Sequence, residues 1–314
     1  MPLKHLIAFI LLLALKGLAA PVESIMITST RDFLISSLVE IENGKDWNNL
    51  NNDKLIEAFV GFLNLKKEKS IFITDLDETL LTSKYFFGST EWFKVITPEI
   101  REKIQTSNPG ESPDQIERLL DQDFWKFVGS HPEMKSADQT YTKLLKALYE
   151  NGHQVFALTA RNEKMSDVTK MQLRSIGVDF LAEQVIYSPH NPDWSSSKGR
   201  TLRSAIDSRL KQKSASGAFY RMYFFDDMIK EINAVTEAFV LSPASNLEEV
   251  KIVHSRVSHE NKRQNEIYKI FQTIGKFQEI VFNSIGLKIS NEEAFELHKV
   301  IAPQKYSCYK FYSH

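Results

Sequence analysis

The residues Ile71–Thr74 run straight into Asp75, Asp77 and Glu78, and then into Leu80 and Leu81. Acids are poor strand formers, and the flanks are too apolar for a solvated charge patch. The plain alternative is a surface Asx-turn. Polar residues recur where other apolar runs end. Thr159 closes "QVFALTA" (Gln154–Ala160), Lys198 sits just ahead of a helix in "SSSKGRTL", and Asp226 and Asp227 end "YRMYFFDD" (Tyr220–Asp227). Taken singly, Thr159 reads as a turn or cap residue, Lys198 as a solvated lysine and Asp227 as a helix cap. Taken together and in this order, they point to one chemistry.

That chemistry is phosphoryl transfer through an aspartyl-phosphate. A carboxylate is a competent covalent nucleophile, but here it must attack a group that is itself anionic. Two unit charges 4 Å apart repel by about 4 kcal/mol at an effective dielectric of 20, so a counter-cation is required. Mg²⁺ takes oxygen ligands and retains waters. Asp75 and Asp226 offer two such oxygens, and the backbone carbonyl of Asp77 offers a third. Lys198 brings a second positive charge to the transferring oxygens, and Thr159 brings a hydroxyl donor. Asp77 is spaced to protonate the leaving oxygen and then to deprotonate water.

These residues need strands to end at one place. Apolar positions Phe33, Leu34, Leu38 and Ile41 predict a helix from Thr30 to Ile41. "DWNNLNND" (Asp46–Asp53) reads as a loop, and a second helix is expected from Lys54 to Leu65. Tyr141, Leu144, Leu145 and Leu148 mark a helix closed by Asn151-Gly152. Further helices are expected at Met165–Ile176 and around Leu202, Ala205, Ile206 and Leu210, with strands at Gln184–Pro189 and Lys251–Val257. Strands alternating with helices predict an α/β fold: a Rossmann-like parallel sheet with helices on both faces. Its strand ends form the ligand-binding edge.

Two stretches break that rhythm. Residues 84–138 read as a helical insertion, with Pro98 and Pro113 near helix starts. In "SKYFFGSTEWF" (Ser83–Phe93), the aromatics serve either as cap core or as a stacking surface for a substrate ring. The tail from Glu260 is helical and aromatic. The expected layout is an N-terminal helical segment (20–69), a catalytic core (70–259) carrying the insertion, and a helical C-terminal extension (260–314).

"DLDET" (Asp75–Thr79), "ALTAR" (Ala157–Arg161), Lys198 and "FFDD" (Phe224–Asp227) resemble motifs one to four of the haloacid dehalogenase (HAD) superfamily of phosphohydrolases. The resemblance covers Ser70 to Val257. It implies Asp75 as nucleophile and Asp77 as general acid/base, with phosphate bound by Thr159, Ala160 and Lys198. It implies Mg²⁺ held by Asp75, Asp77 and Asp226, with Asp227 ligating through water or orienting Lys198. Dehalogenating members lack the second aspartate, so Asp77 favours phosphatase chemistry. Within the superfamily the chain is similar to the class C acid phosphatases and resembles an uncharacterised secreted bacterial group. It departs from the class C pattern at Thr82-Ser83, where Asp-Asn is usual, and at Phe225-Asp226, where Gly-Asp is usual. Two alternatives stay open: a silent effector or binding module on this scaffold, and a phosphotransferase. The intact set Asp75, Asp77, Thr159, Lys198 and Asp226 argues against the silent reading.

The chain has 314 residues, with 39 Lys+Arg against 40 Asp+Glu, so no bulk basic field suggests nucleic acid. Lys4, the apolar run Leu6–Leu15 and the small residues Gly17, Ala19 and Ala20 read as a secretory signal peptide, residues 1–19, cut after Ala19. An uncleaved membrane anchor is the alternative. No further apolar segment of spanning length follows, so export to the periplasm or medium is expected. Cys308 is the single cysteine, which rules out an intramolecular disulfide and reads as a packing residue. The expected partner is a phosphate ester, small or macromolecular.

Overall fold

A computed structural model describes residues 21–65, 70–87, 89–130, 133–189, 196–213, 220–241, 247–264, 267 and 270–301. The expected signal peptide with its cleavage site, and Cys308, lie outside the described residues. The chain opens with β1 (Val22–Ile27), α1 (Thr30–Ile41), α2 (Asn52–Leu65), β2 (Ile71–Thr74) and β3 (Leu81–Ser83). It continues with α3 (Thr90–Ser107), α4 (Pro113–Ser130), β4 (Met134–Ser136), α5 (Gln139–Glu150), β5 (Gln154–Thr159) and α6 (Ser166–Ser175). Then come β6 (Val185–Tyr187), α7 (Lys198–Lys213), β7 (Tyr220–Asp226), α8 (Ile229–Leu241) and β8 (Leu247–Ser255). Helices α9 (Val257–Gln264), α10 (Phe271–Ile285) and α11 (Asn291–Ile301) complete it. No helix among the described residues is long and apolar enough to cross a membrane.

The chain divides into two compact units. The first takes the chain up to Leu80, then Ala137–Glu163 and Val178–Val257. Its sheet has six strands in the order β1-β8-β7-β2-β5-β6, all parallel. Strand alternation sends Ile71, Ile73, Met222, Phe224, Val250 and Ile252 to one face, where they pack on Leu202 and Ile206 of α7 and on Ile232, Val235 and Phe239 of α8. Phe72, Tyr223 and Phe225 take the other face. Phe72 stacks on Tyr223 at 4.5 Å, and Phe33 of α1, Phe59 of α2 and Tyr141 of α5 meet these rings edge-on or tilted. The sheet is therefore covered by helices on both faces. Strands buried on both sides read as near-continuous apolar runs, which is why "IFIT" and "MYFF" show no polar alternation.

The N-terminal segment differs from the helical expectation. Residues Val22–Ile27 form a strand that pairs in parallel with Val250–Ser255, and α1 and α2 form one covering layer of the sheet. Half of β1 is exposed, as suits an edge strand, so its apolar count gives only a weak periodic signal.

The second unit takes Leu81–Ser136, Lys164–Gly177 and the chain from Ser258 onward. The insertion contains α3 and α4 as expected, and it rests on an antiparallel pair, β3 with β4, that periodicity did not suggest. Pro113 opens α4, but Pro98 lies inside α3 rather than at its start. The start belongs to Ser89, whose hydroxyl accepts the Trp92 N–H at 3.0 Å. A real cap outweighs the positional preference of proline, and Pro98 forfeits one helical hydrogen bond. Insertion and tail share one core: Phe86 packs with Ile270, Ile274, Ile289 and Ala294. Two buried amides tie them together. Gln278 Oε1 accepts the Phe87 N–H at 3.0 Å, and Asn291 Oδ1 accepts the Phe86 N–H at 2.8 Å. The cap-like insertion and the C-terminal extension are thus one structural unit.

Candidate active site

Strands β5 and β6 lie on one side of β2, and β7, β8 and β1 lie on the other. The chain leaves β2 towards one side and later returns to build the other, so the loops after β2 and β7 part in opposite directions. Such a switch point is where open parallel sheets bind ligands. Ladder pairing sets Thr74 against Phe225, and the Asp75 N–H continues it by donating to the Phe225 carbonyl at 2.8 Å. Asp75 thereby stands beside Asp226, the last residue of β7. In the strand alternation both follow Ile73 and Phe224, so their carboxylates emerge on the α7 side, and Lys198 is the first residue of α7.

The result is a buried charge cluster. Lys198 Nζ donates to Asp75 Oδ1 at 2.5 Å and to Asp226 Oδ2 at 2.7 Å, with all three side chains under 10% exposed. The Met228 N–H donates to the other Asp226 oxygen at 2.8 Å. Carboxylate oxygens of Asp75, Asp226 and Asp227 lie within 4.8 Å of one another. Burial drives Asp75 well above the usual carboxylate range, against the pull of Lys198, and Asp226, Asp227 and Asp77 push it further. Burial likewise lifts Asp226 to about 6, opposed by Lys198 and aided by Asp227. Burial works against the Lys198 charge, but Asp226 and Asp75 prevail and hold it above the ordinary lysine value.

Three carboxylates and one ammonium leave an excess of negative charge in a largely buried cluster whose anionic donors are all oxygens. Both buried aspartates are pushed towards protonation although the lysine touches them. A hard divalent cation fits this donor set, because it would supply the missing charge and accept only oxygen ligands. Asp75, Asp226 and Asp227 are the residues that would hold it.

Residues 47–221, more than half of the chain, match the family described as a protein of unknown function (DUF2608). The chain belongs to that family. No curated protein matches. Among solved structures, a provisionally assigned phosphatase from Clostridium difficile has 15% identity and a TM-score of 0.36, covering 59% of this chain and 94% of its own. The class C acid phosphatase from Bacillus anthracis has 15% identity and a TM-score of 0.33, covering 87% of this chain and 98% of its own. In this DUF2608 member, Asp75, Asp77, Thr159 and Lys198 fall inside the matched span, and Asp226 and Asp227 lie just beyond it.

Asp77 stands apart from the triad. Its carboxylate is gripped by Arg161, with Nε at 2.9 Å from Oδ2 and Nη2 at 2.7 Å from Oδ1. The carboxylate group of Asp77 is not part of that triad, so the backbone carbonyl is the Asp77 atom expected at a metal. Glu78 follows with φ +64°, a left-handed conformation costing about 1–2 kcal/mol for a non-glycine residue. Such a bend turns the chain sharply away from the strand axis directly after Asp77. Thr159 ends β5 fully buried, and its Oγ1 accepts the Arg161 N–H at 3.2 Å, which leaves its own proton to donate. Ala160 lies between them.

Arg161 closes "ALTAR", and motif spacing alone gives it no role. A cation directly after a buried strand is the signal it offered. Ser196 and Glu231 carry no signal in the sequence either. The Ser196 hydroxyl accepts the Lys198 N–H at 3.2 Å and bonds to the Glu231 carboxylate, tying the start of α7 to α8. His254 Nε2 meets the Asp227 carbonyl at 3.0 Å and fixes the chain beside the triad.

Proposed function

We propose that this chain is an exported, Mg²⁺-dependent phosphomonoester hydrolase that works through an aspartyl-phosphate on Asp75. The observation that carries the reading is the Lys198 ammonium bridging Asp75 and Asp226 at the switch point of the sheet. The N-terminal sequence supports export, and a phosphate ester, small or macromolecular, is the proposed partner.

When bound, Mg²⁺ would supply the positive charge that offsets the approach of an anionic ester to an anionic carboxylate. The protein groups do the rest. Asp75 attacks phosphorus, and the bond from phosphorus to the ester oxygen breaks as the bond to the Asp75 carboxylate forms. Lys198 and the Thr159 hydroxyl donate to the transferring oxygens. Asp77 gives a proton to the leaving oxygen and next takes one from water, which attacks the phosphorylated Asp75 and releases inorganic phosphate. The Arg161 fork occupies two of about four carboxylate lone-pair sites on Asp77, so the same oxygens stay open to proton transfer.

The test separates the two aspartates. Asp75→Asn should be inactive towards every ester. Asp77→Asn should lose about 10²–10⁴-fold and accumulate phosphate on Asp75 after acid quench, read by mass spectrometry. Turnover by Asp75→Asn, or no phosphate on Asp75 in either the wild type or Asp77→Asn, overturns the covalent route.

A further inference from the structure

Arg161 has no part in the chemistry assigned to Asp75 and Asp77, yet it is completely buried, whereas the Asp77 side chain it grips is 28% exposed. Removing a guanidinium from water is costly, and a buried ion pair contributes little net stability compared with a well-packed apolar pair. Packing therefore gives no reason for an arginine here, and geometry does. Asp77 forms an isolated bridge beyond the β2 ladder, just before the turn Glu78–Leu80, and its short side chain is in partial contact with water. Left alone, its carboxylate would sample several rotamers. Arg161 presents a planar fork that matches both oxygens at 2.9 and 2.7 Å. The fork is itself anchored, because the Arg161 N–H bonds Thr159 Oγ1 at the end of β5, the strand next to β2. One residue thus ties the proposed phosphate-binding hydroxyl to the proposed proton-transfer group.

We propose that Arg161 is the positioning residue for Asp77: its buried fork fixes the carboxylate in the one orientation that serves proton transfer, and it does not itself bind substrate. This rests on the phosphatase reading. It follows that loss of Arg161 lowers turnover through Asp77 and leaves phosphate binding alone. A lysine reaches one oxygen at a time and restores the charge without the orientation.

The experiment uses the full-length mature protein with Mg²⁺ and two esters. 4-Nitrophenyl phosphate has a leaving group that departs without a proton, and ethyl phosphate has one that needs it. Arg161→Lys, Arg161→Met, Asp77→Asn and the Asp77→Asn/Arg161→Met double variant are compared. Arg161→Lys should lose about 10–100-fold in kcat on ethyl phosphate, in the range expected for a misplaced catalytic group. The loss should be smaller on the nitrophenyl ester, with KM unchanged within about twofold. The double variant should be no slower than Asp77→Asn, because residues acting as a unit are not additive. A rise in KM with kcat unchanged, equal losses on both esters, or a double variant slower than Asp77→Asn overturns the proposal while the phosphatase reading stands. A wild-type protein that cleaves neither ester and carries no phosphate on Asp75 overturns both. Should Arg161→Met fail to fold by circular dichroism, the ester ratio and KM of Arg161→Lys decide the question.

Discussion

The amide N–H of Asp75 donates to the carbonyl of Phe225 at 2.8 Å, one rung beyond the last paired residues of β2 and β7. Backbone pairing, rather than side-chain flexibility, therefore places Asp75 beside Asp226. The acidic cluster is preformed, and a cation binding to it should stabilise the folded state by mass action. A ligand present at 100 times its dissociation constant adds about 2.7 kcal/mol. Mg²⁺ should raise the melting temperature of the wild-type protein, and EDTA should reverse the rise. Asp226→Asn should keep its circular dichroism spectrum and lose most of that shift. An undiminished Mg²⁺ shift in Asp226→Asn would count against the triad as the cation site.

Gly199, the residue after Lys198, lies against α8. A Cβ there would fall 2.2 Å from the Ala234 carbonyl oxygen and 2.8 Å from its carbon, and both are backbone atoms that cannot swing aside. Gly199→Ala should force the first turn of α7 outward, costing about 1–3 kcal/mol as overpacking does and displacing Lys198 from its two aspartates. Gly61 in α2 has open space around it, so Gly61→Ala should be neutral or should stabilise by about 0.5–1 kcal/mol. Chemical denaturation measures both effects. Phosphate release should drop at least about tenfold for Gly199→Ala, as for a catalytic group misplaced by an ångström, and stay unchanged for Gly61→Ala.

His153 is buried, its Nδ1 accepts the Ser70 N–H at 3.4 Å, and burial lowers its proton affinity below the ordinary value of 6.5. The unfolded chain then binds more protons than the native one at mildly acid pH, so stability rises with pH in that range. The stabilising effect of the neutral ring is complete above about 6.5. It is lost as pH falls from there towards the lower native-state value, where protonation of Nδ1 breaks the Ser70 bond. His153→Gln keeps an acceptor and cannot titrate. The stability difference between the wild type and this variant, followed by urea melts, should shrink as the pH drops below 6.5. A difference independent of pH would refute this role.

Gln278 Nε2 donates to the Ile289 carbonyl at 3.0 Å and to Asn291 Oδ1 at 3.1 Å, while its Oε1 holds the Phe87 N–H. Gln278→Leu would leave buried polar groups of both the insertion and the tail without partners, at about 1–3 kcal/mol each. Limited proteolysis should then cut within the insertion and the C-terminal helices faster than in the wild type. Protection equal to the wild type would show that the shared apolar core alone holds the unit together.

Much of this protein was legible in its residues. The α/β alternation, the covering helix Thr30–Ile41 and the positions of Asp75, Thr159, Lys198, Asp226 and Asp227 at or beside element ends all follow from local rules, because strand length, helical period and capping are properties of a few neighbouring residues. Local rules stop where pairing begins. That Val22–Ile27 is an edge strand depends on Val250–Ser255, more than 200 residues later, and a half-exposed edge carries too little pattern to announce itself. The union of insertion and tail depends on Gln278 and Asn291 reaching backbone N–H groups about two hundred positions away. Motif spacing could name Asp77, but only the meeting of the segment after β2 with the end of β5 shows that Arg161 holds both its oxygens. A side chain's period and propensity are set by its neighbours in the chain, whereas its charge partner is set by strand order and register, which exist only once the sheet has formed.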